Sequence, residues 1–154
     1  GGAQVGEGRG VIAYLDSSAL LRLLLGEPGP RFESADREVY SHELAEVEVL
    51  RALERLLLAR ALSDESFARK RGEAMKLLDA VALVRNRPEI SRGASANFGV
   101  PVRALDAIHV ACAEWISAQA GAREVVFWTH DRRQADAALS RGLSVAGIDL
   151  RAPE

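Results

Sequence analysis

Positions 11–18 read VIAYLDSS: five uninterrupted apolar residues, Val11 to Leu15, closed by Asp16 and a pair of hydroxyls. A continuous apolar run of this kind predicts a strand buried on both faces, as inner strands of parallel sheets are. The next segment, Ser17–Leu25, predicts a helix stopped by Gly26 and Pro28. The alternation then repeats along the chain. Strands are expected at Glu38–Ser41, Ala80–Val84, Glu124–Thr129 and Ser144–Ile148. Between them, helices are expected over His42–Arg60, from Ser63 as N-cap through Asp79, from Pro88 to about Phe98, over Ala104–Gln119 and over Arg132–Arg141, with a turn at Pro28–Pro30 and a short helix at Phe32–Asp36. Strands alternating with helices require crossover connections. The expected fold is therefore α/β, a mostly parallel five-stranded sheet with helices on both faces. Ligands of such sheets bind beyond the carboxyl ends of the strands, where the strand order reverses.

The 154 residues, with 48% from the hydrophobic set, suit one compact soluble domain, expected over residues 11–150. Residues 1–10, GGAQVGEGRG, read as a disordered arm or a vector-derived remnant. A single Cys excludes an intramolecular disulfide framework and fits a cytoplasmic setting. Apolar stretches are broken by Asp16, Arg22, Glu54 and Arg60, so no membrane span is expected. Net charge is −2, which on its face argues against a nucleic-acid partner. The average conceals an asymmetry: residues 51–103 hold eleven basic against six acidic residues. Such a division favours an anionic partner on one side and a cationic one on the other, although a solvated helical face would also produce it.

Two acids fall at strand ends, Asp16 and Asp131, and two more, Glu48 and Asp106, sit inside apolar helical stretches, LAEVEVL and ALDAIHVA. Each has an ordinary explanation: Glu48 can pair with Arg51, Asp106 can serve a helix dipole, and Asp131 can cap the following helix. Asp16 has no evident structural need for its charge. Four converging carboxylates would raise one another's pKa unless a cation held them. An all-oxygen set selects hard ions such as Mg2+ or Mn2+, which can generate hydroxide from bound water and polarise a phosphodiester. His109 with Asp106 and Cys112 could be drawn as another metal site, but a hard ion has no use for the thiol and Cys112 fits an apolar stripe. His130 precedes Asp131 and could face the cavity rim, with an exposed strand-end histidine the plainer reading.

The segments YLDSSALLRLLLGEP (14–28), SHELAEVEVLRAL (41–53), LDAIHVACA (105–113) and WTHDRRQADAALSRGLSV (128–145) together resemble a PIN-domain ribonuclease, most nearly the VapC toxins of prokaryotic toxin–antitoxin pairs. The resemblance implies a PIN-like three-layer sandwich in which Asp16, Glu48, Asp106 and Asp131 are catalytic metal ligands for Mg2+ or Mn2+. Glu43 and Glu46 compete for the glutamate role, and the family's spacing favours Glu48. Ser18 and Thr129 match hydroxyls that support metal, water or phosphate from behind the ligands. The resemblance further implies a cytoplasmic homodimer that cleaves RNA to 5′-phosphate and 3′-hydroxyl ends and is inhibited by an antitoxin protein. Gln134 departs from the pattern, since an aromatic or apolar residue is common there. Asp136 could add an acid near the site, with a solvated face the plainer reading.

Two alternatives stand beside this one. A receiver-like or phosphatase-like domain could accept a phosphoryl group on Asp16, but Ser18 stands where such phosphatases want an acid, and Lys70 and Lys76 fall in a mid-chain helix. A catalytically inactive PIN module could bind RNA or protein, yet it would have no need of four carboxylates. Sparse aromatics, 5% of the chain, point to RNA held by its backbone rather than by base stacking.

Overall fold

The computed structural model describes residues 5, 10–27, 32–33 and 37–150. Most of the expected arm, the Pro28–Pro30 turn and most of the Phe32–Asp36 helix lie outside the described residues, while Val5 of the arm is half-buried and packs against the core. Five strands and six helices follow in order: β1 (Ile12–Leu15), α1 (Ser17–Leu25), β2 (Glu38–His42), α2 (Leu44–Leu58), α3 (Asp64–Ala80), β3 (Ala82–Val84), α4 (Pro88–Ser95), α5 (Ala104–Gln119), β4 (Val125–Trp128), α6 (Arg132–Ser140) and β5 (Ser144–Ala146). The strands form one sheet in the order β3-β2-β1-β4-β5. Every pairing is parallel, where the sequence predicts only a mostly parallel sheet.

β1 is buried at all four positions, and its side chains alternate between two cores. Ile12 and Tyr14 join α4, α5 and α6 on one face. Ala13 and Leu15 join α1, α2 and α3 on the other. Helices therefore cover both faces, giving three layers. The strand order reverses between β1 and β4, whose last residues, Leu15 and Trp128, are direct partners.

Differences from the sequence reading are local. β2 runs one residue further, to His42, because His42 pairs with Val84 and its Nδ1 accepts from the Leu44 amide; the helix starts only there. α3 continues through Ala80, so β3 begins at Ala82. α4 ends at Ser95, because Ala96 is extended and the Asn97 side chain accepts from the Gly99 amide. Phe98 then turns inward as a buried core residue, with the Arg141 guanidinium 4.0 Å above its ring. Ser63 caps α3 as expected, accepting from the Ser66 amide at 3.1 Å. No helix among the described residues is long and apolar enough to cross a membrane.

α2 shows how one helix serves both packing and site. Ala45, Val49 and Leu53 are fully buried against the α1–α3 layer, while Leu58 is 80% exposed. Leu53→Ala should therefore cost about 2–5 kcal/mol and Leu58→Ala within about 0.5 kcal/mol, read from urea unfolding midpoints. Equal losses would contradict this assignment of the α2 face.

Candidate active site

The carboxyl ends of β1 and β4 bring Asp16 and Thr129 together at the point of reversal. Asp16 is 4% exposed, and its oxygens are fully engaged. Oδ1 accepts from Ser18 Oγ at 2.6 Å and the Ala19 amide at 2.9 Å; Oδ2 accepts from Thr129 Oγ1 at 2.5 Å. The structure thus gives the charge a structural role, since Asp16 is the N-cap of α1. Burial nonetheless dominates: it raises the Asp16 carboxyl above its ordinary value against the opposing pull of the His109 charge and these hydrogen bonds. Ser18 and Thr129 accordingly grip the carboxylate, and Ser18 also accepts from the His130 amide at 2.9 Å.

Glu48 enters from α2. Its Oε2 accepts from Ser17 Oγ at 2.9 Å, and its Oε1 lies 2.6 Å from His109 Nε2. His109 is 2% exposed and its Nδ1 is 2.7 Å from the Tyr14 hydroxyl, so a buried chain runs Tyr14–His109–Glu48. Nε2 donates to the Glu48 carboxylate, which when ionised can only accept. Burial works to raise Glu48, but the His109 hydrogen bond and charge and the Ser17 hydroxyl outweigh it and hold its carboxyl below the usual range. Arg51 takes Glu54 at 2.8 Å rather than Glu48. The two rival glutamates point elsewhere: Glu43 is exposed and accepts from the Asn86 amide, and Glu46 is exposed.

Asp106 lies in the first turn of α5 and Asp131 is the N-cap of α6, accepting from the Arg133 and Gln134 amides at 2.9 and 3.4 Å. Gln134 ties the two helix starts together: it is 1% exposed, and its Nε2 donates to the Asp106 carbonyl at 3.2 Å. No described residue donates to the Asp106 carboxylate. Burial raises its pKa first, and the charges of Asp131, Asp16 and Glu48 raise it further, against a lowering by His109. Asp106 therefore feels the charges of the other three predicted carboxylates.

As they stand, no three His, Cys, Asp or Glu side chains among the described residues are grouped to enclose a metal ion. Both oxygens of Asp16 and Oδ1 of Asp131 are occupied by the protein's own donors, with which a cation must compete. The donor set still fits a hard divalent ion: four carboxylates, no sulfur, and one partnerless carboxylate carrying an electrostatic excess. Cys112 takes no part, because burial pushes its thiol up to about 12. His130 is half-buried and its Nδ1 donates to the Gly147 carbonyl, where the sequence suggests an exposed ring. Asp136 pairs with Arg132 at 3.6 Å on α6.

Sequence reasoning misses Ser17 and Tyr14, and for His109 it weighs and sets aside a metal trio with Asp106 and Cys112 without reaching the contact with Glu48. The only available signal for His109 is its i+3 spacing from Asp106, which places the two on one helix face.

The raised Asp106 carboxyl carries a sign. Folding makes its charged form less favourable than in the unfolded chain, where the pKa is about 3.9. Stability from this group therefore falls as pH rises from the unfolded value through the raised folded one, and the penalty is fully present at neutral pH. Metal-free Asp106→Asn should melt at or above the wild-type temperature at pH 7, with the advantage fading below about pH 4. Added Mn2+ should raise the melting temperature of the wild type and not of the variant. A variant that melts lower and still responds to Mn2+ would contradict this reading.

No curated protein matches the chain. The PIN domain family model matches residues 13–139, which spans β1 to α6 and contains all four carboxylates. This match displaces the receiver-like and phosphatase-like alternative, whose lysine is also missing from the site: Lys70 donates to the Leu24 carbonyl and Glu73. The chain belongs to the PIN domain family, whose members are typically metal-dependent nucleases.

Proposed function

We propose that this chain is a Mg2+- or Mn2+-dependent endoribonuclease and the toxin half of a type II toxin–antitoxin pair. The observation that carries the reading is the Asp106 carboxylate, to which no described residue donates and whose pKa is raised first by burial and then by the charges of Asp131, Asp16 and Glu48. A purely RNA- or protein-binding module has no use for this electrostatic cost. Asp16, Glu48, Asp106 and Asp131 would hold the ion, which when bound activates water and offsets charge at the scissile phosphate.

The chain's own residues supply the geometry. Thr129 and Ser18 fix Asp16 at the strand end, and the Tyr14–His109 pair fixes Glu48. Gln134 keeps α5 and α6 in register, so that Asp106 and Asp131 face the same crevice. The toxin assignment and a homodimer rest on the resemblance to VapC toxins. A net-acidic site is compatible with a cationic antitoxin segment, since 16 of the 22 acids lie outside residues 51–103.

The test is incubation of the chain, freed of any partner, with a broad panel of structured RNAs in Mg2+, in Mn2+ and in chelator. Metal-dependent fragments with 5′-phosphate and 3′-hydroxyl ends are expected. Asn caps a helix as well as Asp does, so Asp16→Asn should fold, and it should lose more than about 100-fold in rate. No cleavage of any RNA in either metal would overturn the enzyme reading and favour the inactive binding module.

A further inference from the structure

Two cavities open beside the carboxylates, one from each helical layer. The first, about 410 Å3, lies at the starts of α5 and α6 and is lined by Asp106 itself together with Arg103 and Arg133. The second, about 570 Å3, lies between α1 and α2 and is lined by Ser18, His130, Arg22 and Arg55. Ser18 donates to Asp16 and accepts from the His130 amide, so the mouth of this cavity is one hydrogen bond from Asp16. Since α1 and α2 cover one face of the sheet and α5 and α6 the other, the cavities reach the site from opposite sides.

Each cavity carries two arginines, and among the described residues none of the four makes an ion pair or hydrogen bond through its guanidinium. Other arginines are engaged: Arg51 with Glu54, Arg123 with Glu38, Arg132 with Asp136, Arg141 with Glu114, and Arg87 over the Trp115 ring. Arg22 is further distinguished, because its Nε is shielded from solvent without a partner. Such a donor is costly unless a ligand satisfies it. Guanidinium groups match phosphate oxygens bidentately.

An acidic centre by itself repels a nucleic-acid strand, so phosphates must be anchored on either side to bring one to the carboxylates. We propose that single-stranded RNA crosses the site from one cavity to the other, with its flanking phosphates held by Arg22 and Arg55 on one side and by Arg103 and Arg133 on the other. The proposal rests on the nuclease reading and adds the path of the substrate. Both cavities are open to solvent, and at about 410 and 570 Å3 each is too small to seat a duplex, which favours single strand. It also assigns roles within the basic 51–103 segment: Arg55 and Arg103 contact the strand, whereas Arg69 and Arg71, exposed on α3, line neither cavity.

The experiment is fluorescence anisotropy with a labelled, unstructured oligoribonucleotide in Mg2+, using the Asp16→Asn protein so that binding is read without cutting. Three double variants are added to that background: Arg22→Ala with Arg55→Ala, Arg103→Ala with Arg133→Ala, and Arg69→Ala with Arg71→Ala as a control. Five of the six positions are exposed and Arg22 is half-buried, so folding is checked by circular dichroism. Each site pair should raise Kd at least about fivefold and flatten the slope of log K against log salt by about 1.4, two single-strand phosphate contacts' worth. The control pair should leave both unchanged. If the background binds RNA and both site pairs keep its Kd and slope, the path is overturned while the nuclease reading stands. Equal losses in the control pair, or polyglutamate binding as tight as RNA and equally sensitive to the site pairs, would also overturn it by showing unspecific anion attraction. Failure of the wild type to cut RNA is a separate result and sinks the nuclease reading with it.

Discussion

The hydrogen bond from Thr129 Oγ1 to Asp16 Oδ2 closes the seam between β1 and β4, and the arrangement of the site follows from it. These strands carry the order reversal, where the crossover helices diverge to opposite faces and leave a crevice. The same Asp16 carboxylate caps α1 through Ala19, so one buried group sets the direction in which α1 leaves the sheet. Ser18, on the first turn of α1, joins that carboxylate to the His130 amide. Asp131 lies one residue beyond, with its own amide donating to Thr129 Oγ1. This polar network thus converts strand register into the placement of two acids.

Stability and chemistry pull apart at the other two. Glu48 is compensated by Ser17 and by His109, whose burial is supported by Tyr14. Asp106 is left uncompensated beside three like charges, and the fold tolerates the cost because α5 is anchored elsewhere: Ala107, Val110, Ala111, Cys112, Ala113 and Ile116 are all buried. Functional sites commonly keep groups whose local energetics are poor when the surrounding packing determines their position. The Asp106 charge belongs to that class, and the Gln134 bond to its carbonyl is part of the support.

Much of this was legible in VIAYLD and LDAIHVA. An apolar run ending in a carboxylate predicts a doubly buried strand with an acid at its carboxyl end, and both features hold. Limits of α1 and α5 agree with the sequence reading because Gly26, in a left-handed conformation, stops the first and an unbroken helical period defines the second. Boundaries were lost where a side chain's role is set from afar: His42 looks like a helix residue until its pairing with Val84 is known. The same limit hides the Glu48–His109 contact, which spans 61 positions of sequence and leaves no local period. Asp16 shows the converse. Its capping role is local and was open to reading from Asp-Ser-Ser-Ala, but the burial of the strand drew attention to the charge instead.

The central claim is that two carboxylates at strand ends, Asp16 and Asp131, and two from helices, Glu48 and Asp106, form one cradle for a divalent ion. Anomalous scattering from crystals of the chain soaked in Mn2+ tests it most directly. The account predicts an anomalous peak bounded by the carboxylates of Asp16, Glu48, Asp106 and Asp131 and absent from crystals of Asp106→Asn. Mn2+ bound only at exposed acids away from the crevice, with Asp16, Glu48 and Asp131 still held by their protein donors, would contradict it.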